Sequence, residues 1–185
     1  MGQDPNSSTL TSLVEACCRA GKVEFAFDAL QLLAATGVRP TAALYTSLIE
    51  ACGRSGQSGG ALSVLGIMQH AGVRPNGPTY NAVIAACVQA ADLHATLTAL
   101  QEMLTAGVQL EAQTSISIIE LCADHGELEQ AVQLYKQVIK LQPHGEAYAT
   151  LSKVLADQGK YDLSDKAMLK ATKLHNEQLA SWSLF

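Results

Sequence analysis

The chain has 185 residues, of which 48% are hydrophobic and only 5% aromatic, so it can bury a sizeable core of small aliphatic side chains. Its formal net charge is −5, from 12 basic and 17 acidic residues, which gives no global attraction to nucleic acids or acidic membranes. No apolar run approaches the roughly 20 residues that a membrane-spanning helix needs, so we expect no membrane partner.

An internal repeat of 35 residues runs through most of the chain. One ladder at this interval consists of Cys17, Cys52, Cys87 and Cys122. A second ladder consists of Gly21, Gly56, Ala91 and Gly126. A fixed period of this size predicts supersecondary units that cannot bury their apolar faces alone and therefore stack on their neighbours. Such arrays expose a long groove, and binding is their usual function.

The predicted elements begin with residues 1–6, where Gly2–Asn6 aligns with Gly72–Asn76, the end of a repeat. We expect these residues to be the tail of a preceding repeat, and we expect an exposed apolar surface on the first helix pair. Apolar periodicity then predicts helix pairs at 7–19 and 22–36, 42–54 and 57–71, 77–90 and 93–106, and 112–124 and 127–141. Residues 7–144 thus hold four pairs.

The second repeat shows how apolar spacing, glycine and proline predict the helices and turns. Its first apolar stripe follows the spacing i, i+3, i+4 and i+7 and consists of Tyr45, Leu48, Ile49 and Cys52. This spacing predicts an amphipathic helix of about three turns. Gly56 predicts the tight turn after it, and Gly72 with Pro75 predicts the end of the second helix.

The period changes after Gly126, because the interval to Gly159 is 33 residues rather than 35. We assign residues 145–175 to a fifth helix pair, near 145–158 and 160–175, and residues 176–185 to a capping tail, since the last repeat of an array needs its open face covered. The sequence predicts an all-α fold, a right-handed α-solenoid of about five stacked helix-turn-helix repeats.

The five cysteines do not predict a metal site or a disulfide. The four laddered cysteines lie on helices that should be roughly 8–10 Å apart. Zinc ligands approach one metal to about 2.3 Å, and the Cα atoms of a disulfide lie within about 7 Å. We expect the laddered thiols to be buried, reduced and unreactive, with Cys18 turned to a different face.

Groups suited to catalysis do not converge in the sequence. The five histidines are scattered one per segment, the acidic residues are dispersed, and no glycine-rich phosphate loop occurs. We predict that the chain is not an enzyme and takes no metal, cofactor or small-molecule substrate.

Two segments resemble pentatricopeptide repeats: LYTSLIEACGRSG with the later ALSVLGIMQHAGVRPN, and TYNAVIAACVQAADLHATLTALQEMLTAGV. The resemblance is carried by the period, the Tyr-x-x-(Leu/Val)-Ile opening, the Ala-Cys in mid-helix and the Gly-Val-Arg-Pro-Asn close. It is strongest over 7–111 and weaker over 112–141. EAYATLSKVLADQGKYDLSDKAMLKATKL resembles the related tetratricopeptide unit.

The resemblance implies binding of single-stranded RNA in a chloroplast or mitochondrion, one nucleotide per repeat, in transcript stabilisation, processing or translation. Two side chains per repeat are implied to choose the base, namely Thr11 with Thr41, Thr46 with Asn76, and Asn81 with Glu111. Only Thr46 with Asn76 matches a familiar combination, which in the family favours adenine. The fourth unit has Ile116, which cannot hydrogen-bond a base.

A ladder near the end of each first helix changes sign along the chain and consists of Arg19, Arg54, Gln89 and Asp124. Because phosphate neutralisation supplies most non-specific affinity for nucleic acids, we predict RNA contacts from Arg19 and Arg54. The same arginines could instead be ordinary solvated helix ends, favourable beside the C-terminal dipole.

An alternative docking face on the last pair consists of Lys160, Lys166, Lys170 and Lys173. It is either a solvated surface or a site for ribosomal RNA or an acidic protein. With the acidic balance of the chain, it favours the alternative function, a protein-binding scaffold subunit of a large organellar assembly such as a ribosome.

Overall fold

A computed structural model describes residues 7–127, 145–157 and 159–182. Within these ranges the regular secondary structure is entirely α-helical. Among the helices of the described ranges, none combines the length and the apolar character that crossing a membrane requires.

The helices form consecutive pairs joined by short turns. The described helices are α1 Ser7–Arg19, α2 Val23–Ala35, α3 Ala42–Arg54, α4 Ser58–His70, α5 Gly77–Gln89, α6 Leu93–Thr105, α7 Ala112–Asp124, α8 Gly145–Asp157 and α9 Tyr161–Trp182. The predicted bounds agree to within one residue, except that α9 continues from the predicted end at 175 to Trp182. The helix predicted at 127–141 lies outside the described residues.

A left-handed residue makes the turn inside each helix pair. Gly56 has φ +68°, and the N–H of Gln57 donates to the Cys52 carbonyl at 2.9 Å, which satisfies a backbone group at the end of α3. Gly21 and Gly126 adopt the same conformation. Glycine adopts a positive φ without the steric cost of a Cβ atom, which explains the glycine ladder.

The chain divides into two compact units, Met1–Val108 and Gln109–Phe185. In the first unit, the first helices α1, α3 and α5 pack side by side, and each packs against its own second helix. The core between them includes Leu48, Ile49, Val83 and Ile84, all fully buried. Burial of such a side chain stabilises a fold by about 1.5–3 kcal/mol.

In the second unit, α8 packs against both α7 and α9. Its apolar core consists of Ile119, Leu151, Leu155, Ala167 and Ala171. Buried polar contacts join α8 to α9, because the Ser164 hydroxyl donates to the Ser152 carbonyl at 2.9 Å and the two hydroxyl oxygens lie 3.0 Å apart. The bond to the carbonyl satisfies a hydroxyl that would otherwise be costly to bury.

All five cysteines are free, and three of the four laddered ones are buried as predicted, Cys52, Cys87 and Cys122. The prediction was wrong for the first repeat, where Cys17 is half-buried and Cys18 is 2% exposed. The reason is that α3 packs on the side of α1 that carries Cys18. In the first unit, Cys52 lies on α3, which packs against α1, and Cys87 lies on α5, which packs against α3, whereas no helix precedes α1 within the described residues.

The first helix pair exposes apolar side chains, as expected. Leu13 is 46% exposed and Phe25 is 64% exposed. The residues one and two repeats after Leu13 are Leu48 and Val83, and both are fully buried. The same ladder position is therefore core in the second and third pairs and surface in the first.

Candidate nucleic-acid interface

The predicted RNA-contacting residues lie on the first helices or immediately before them. Thr11, Thr46 and Asn81 are half-buried on α1, α3 and α5. Thr41 and Asn76 are exposed and stand at the N-caps of α3 and α5. In the first unit, the residues assigned to base choice thus lie in or just before the N-terminal halves of the neighbouring helices α1, α3 and α5.

The N-cap residues have a structural role of their own. The Asn76 side-chain oxygen Oδ1 accepts a hydrogen bond from the Thr79 N–H at 3.0 Å, and Thr41 Oγ1 accepts from the Leu44 N–H at 3.3 Å. Each bond satisfies one of the unpaired N–H groups at a helix start and is worth about 1 kcal/mol. Because the cap uses the oxygen of Asn76, its amide NH2 group is left for other partners.

Thr46 and Asn76, thirty positions apart in the sequence, are joined through a third residue. The hydroxyl oxygens of Thr46 and Thr79 lie 3.0 Å apart, and the Thr79 hydroxyl donates to Asn76 Oδ1 at 2.8 Å. Thr79 is fully buried on α5. Sequence analysis did not single out Thr79, although its place three residues after an N-cap asparagine is a usable signal.

The other predicted pairs differ from this one. At the preceding junction, the position equivalent to Thr79 is the buried Leu44, which has no hydroxyl. Glu111 precedes α7 in the second unit, is exposed, and makes no side-chain cap bond. Ile116, which cannot hydrogen-bond a base, packs on the core of the second unit.

Arg19 and Arg54 are both exposed in the last turns of α1 and α3. Arg54 has a partner within the protein, because its Nη2 donates to the Cys18 carbonyl at 2.8 Å and so links α3 to the end of α1. A guanidinium carries five N–H donors, so this contact leaves others for phosphate oxygens. The two roles weighed from the sequence, helix end and phosphate contact, are compatible at Arg54.

The alternative docking face lies on and before α9. Lys160, Lys166 and Lys173 are exposed, and the side chain of Lys170 lies outside the described residues. Leu169, on the same helix, is 73% exposed. This surface therefore combines positive charge with apolar area.

A cleft of about 720 Å³ lies along α4 and α6, away from the predicted pairs. Two of its lining side chains bond to each other, because Gln69 Nε2 donates to Glu102 Oε2 at 3.2 Å. Among the described residues, no group of three or more His, Cys, Asp or Glu side chains is placed to hold a metal ion.

Comparison with protein families gives two matches. A family model described as a pentatricopeptide repeat-containing protein matches residues 7–138, and one described as a tetratricopeptide repeat matches residues 145–177. Both agree with the resemblances found in the sequence. A comparison with curated proteins gives no match.

Several solved structures share the fold. The maize pentatricopeptide repeat protein PPR10 is 24% identical, with a TM-score of 0.69 over 93% of this chain and 25% of that protein. The PPR domain of Arabidopsis thaliana protein-only RNase P 1, solved with tRNA, is 18% identical, with a TM-score of 0.70 over 98% of this chain and 100% of that domain. Nuclear proteinaceous RNase P 2 from A. thaliana is 13% identical, with a TM-score of 0.72 over 90% of this chain and 38% of that protein.

At these identities the likeness establishes the fold, and the predicted all-α solenoid of stacked helix-turn-helix repeats is confirmed. The chain spans about a quarter of the maize protein and the full length of the RNase P 1 repeat domain.

Proposed function

From the premise that this chain belongs to the pentatricopeptide repeat family, we propose that it binds single-stranded RNA at the junctions between α1, α3 and α5. The observation that carries the proposal is the hydrogen-bonded group formed by Thr46, Thr79 and Asn76, which presents two polar side chains at one surface. Similar structures include PPR10 with an 18-nt psaJ RNA element and RNase P 1 with tRNA, which supports RNA as the ligand.

We further propose that the chain acts on transcripts of a chloroplast or mitochondrion, in their stabilisation, processing or translation, within a ribonucleoprotein. One structural relative is described as nuclear, so the compartment needs its own test. An antibody against residues 7–127 should detect the protein in purified organelles of the source cells. Detection in nuclei alone would contradict this part of the proposal.

The RNA affinity comes from few phosphate contacts. Arg19 and Arg54 are the basic members of their ladder, and the overall charge of −5 adds no attraction at a distance. Each neutralised phosphate of a single strand contributes about −0.7 to the slope of log K against log salt. Two such contacts predict a shallow slope of roughly −1.4.

The test is fluorescence anisotropy with a labelled RNA of about 12 nucleotides, the scale of a short single-strand site. Arg19→Glu with Arg54→Glu should abolish binding. Lys160→Glu with Lys166→Glu is the matched control, because it reverses two exposed charges elsewhere and should leave binding intact. Arg19→Glu alone should weaken binding while preserving the Arg54 bond to the Cys18 carbonyl, which separates RNA contact from structural damage.

A scaffold role remains the second candidate, because α9 exposes Met168 and Leu169 beside Lys166. Apolar area rimmed by charge is typical of protein interfaces. In this case the protein should co-sediment with a large organellar assembly after RNase treatment, and Leu169→Asp should release it. Loss of RNA binding in the lysine control, with retention in the arginine variant, would move the RNA site to this face.

A further inference from the structure

An asparagine followed by glycine stands at the start of α5. The chain has four asparagines, and only Asn76 precedes a glycine; the others precede serine, alanine and glutamate. Because glycine has no Cβ atom, its backbone nitrogen is not shielded from the side chain of the residue before it. Asn76 is also exposed, and it lies at the proposed RNA-binding surface.

The hydrogen bonds of Asn76 hold its side-chain oxygen and leave its side-chain nitrogen outside the cap. Oδ1 accepts from the Thr79 N–H at 3.0 Å and from the Thr79 hydroxyl at 2.8 Å. Because an N–H can only donate, the oxygen is the atom that faces α5, and the NH2 group faces away from the helix. Two donors at Oδ1 stabilise negative charge on that oxygen, as in an oxyanion hole, and so make the amide carbon Cγ more open to attack.

The backbone nitrogen of Gly77 is placed to make that attack. Gly77 is the first residue of α5, and the first N–H groups of an α-helix have no acceptor within the helix. The space beside it is open, because a Cβ atom built on Gly77 would lie 3.9 Å from its nearest neighbour, Val108 Cγ1. Neither a helix hydrogen bond nor a side chain therefore protects this nitrogen.

We propose that Asn76 is a site of spontaneous deamidation in the folded protein, with water as the other reactant. The Gly77 nitrogen bonds to Asn76 Cγ, the Cγ–Nδ2 bond breaks, and Nδ2 leaves as ammonia with the proton of the Gly77 N–H. Water then opens the cyclic imide at one of its two carbonyl groups. Asparagine and water thus give ammonia and either aspartate or isoaspartate, in which the main chain continues through Cγ.

The two products differ in their effect on α5. Aspartate keeps an oxygen that can cap the helix, and its negative charge is favourable beside a helix N-terminus. Isoaspartate lengthens the main chain by one atom and so loses the cap. Both products replace the outward NH2 donor of Asn76 by a negative charge, which repels RNA phosphates. We therefore expect deamidation to weaken RNA binding, a consequence that rests on the proposed function.

The experiment incubates the purified chain in warm, mildly alkaline buffer and follows the conversion by mass mapping of its peptides, which detects the exchange of NH2 for OH. Gly77→Ala keeps the asparagine and places a Cβ atom beside the attacking nitrogen. Gly66→Ala is the matched control, because it makes the same change at an open position of α4. Thermal unfolding checks the fold of each variant, and Gly77→Ser, which also adds a Cβ atom, replaces Gly77→Ala if that variant does not fold.

Asn76 should convert first, while Asn81, which lies inside α5 and precedes Ala82, stays intact. Gly77→Ala should slow the conversion by about tenfold or more, because a Cβ atom crowds the nitrogen and restricts the backbone rotation that ring closure needs. Gly66→Ala should convert at the wild-type rate.

The effect on RNA is measured separately, by fluorescence anisotropy with Asn76→Asp. This variant should unfold at the wild-type temperature or above it, because aspartate caps a helix as well as asparagine does. It should bind RNA about fivefold more weakly, the size of the repulsion between two charges at close range in water.

Four outcomes would contradict the inference at different steps. If Asn76 stays intact in the folded chain but converts in urea, the fold protects it and the proposed site is wrong. Equal rates in the wild type and Gly77→Ala would exclude attack by the Gly77 nitrogen. Unchanged RNA affinity of Asn76→Asp would overturn the effect on binding. If the wild-type chain binds no RNA, the proposed function fails, whereas the conversion of Asn76 is still decided by mass mapping.

Discussion

The turn within each helix pair places one residue in the left-handed region, and the third pair uses alanine there. Ala91 has φ +52°, and among the described residues it is the non-glycine residue with a positive φ. Its turn keeps the usual bonds, since the N–H of Asp92 donates to the Cys87 carbonyl at 3.0 Å. A Cβ atom in this conformation costs about 1–2 kcal/mol.

Replacing this alanine with glycine tests that strain. Ala91→Gly should raise the free energy of unfolding by about 0.5–1 kcal/mol, because the relief of the Cβ contact exceeds the extra entropy of the unfolded chain. Urea denaturation measures the change. Ala90→Gly is the control, because Ala90 has φ −79° and should lose stability on substitution. Equal losses in both variants would show that Ala91 is unstrained.

The thiols differ in burial from one repeat to the next, and we expect the more exposed thiols to react faster. Burial raises the pKa of Cys18, Cys87 and Cys122 to about 11, so their reactive thiolate is scarce near neutral pH. Cys17 is half-buried. A thiol reagent should modify Cys17 quickly and the buried cysteines only on unfolding. Cys17→Ser should remove the fast phase, and rapid labelling of Cys52 or Cys87 would refute this packing.

How far the residues of the site could be predicted depends on where their partners lie. The resemblance placed Thr46 and Asn76 because both belong to one repeat. Thr79 belongs to the next repeat, and its bonds to them arise only when α3 and α5 are side by side. The two sides of α1 were misassigned for the same reason, since the ladder gives equivalence of position but not the presence of a neighbouring helix.

Among the elements, α3 and α5 approach each other closely where Gly53 faces Ala86. A Cβ atom built on Gly53 would lie 2.9 Å from Ala86 Cβ and 3.0 Å from Ala86 Cα. Backbone atoms cannot turn away as a flexible side chain can. The absence of a side chain at Gly53 therefore sets the spacing between the two helices.

A methyl group at this contact should force the helices apart. Gly53→Ala should destabilise the protein by about 1–2 kcal/mol, because overpacking outweighs the gain of about 1 kcal/mol in helix propensity. Gly66→Ala is the matched control, since Gly66 lies in α4 with open space around it and should gain stability. Chemical denaturation distinguishes the two signs. A stabilised Gly53→Ala variant would contradict the close approach.

The helix bounds were predictable because apolar spacing and glycine positions act locally. The exception is the end of α9, which the sequence analysis placed at 175 from the repeat period. Residues 160–185 contain no proline and no glycine, so nothing in the local sequence stops the helix there. Local chain preference, rather than the period, explains why α9 extends to Trp182.

At the scale of the whole molecule, burial makes several thiol and phenol groups harder to deprotonate. It raises the pKa of the thiols at Cys18, Cys52, Cys87 and Cys122, and of the phenols at Tyr45 and Tyr80. In the folded state these groups favour their neutral forms. Alkaline pH therefore acts on the stability of the whole array.

Stability should fall as the pH rises above about 9, the ordinary thiol value, towards about 11. In this range the unfolded chain loses thiol protons that the folded chain retains, so deprotonation favours unfolding. Below about pH 9 these thiols are neutral in both the folded and the unfolded chain, so the contribution of their burial to stability is fully present. Urea midpoints across the alkaline range measure it. Cys87→Ala should flatten the dependence, and a midpoint that increases with pH would contradict the burial of these thiols.

Because Thr79 lies beyond the last residue of the repeat that contains Thr46 and Asn76, the smallest transferable unit that keeps this hydrogen-bonded group is longer than one repeat. A graft of residues 42–76 into another array would carry Thr46 and Asn76 but leave the third hydroxyl behind. The recipient would supply its own residue at that place, and Thr46 and Asn76 would lose the bonds that join them here. Shuffled or designed arrays should therefore be cut after residue 79, inside the next helix, and not at the repeat boundary.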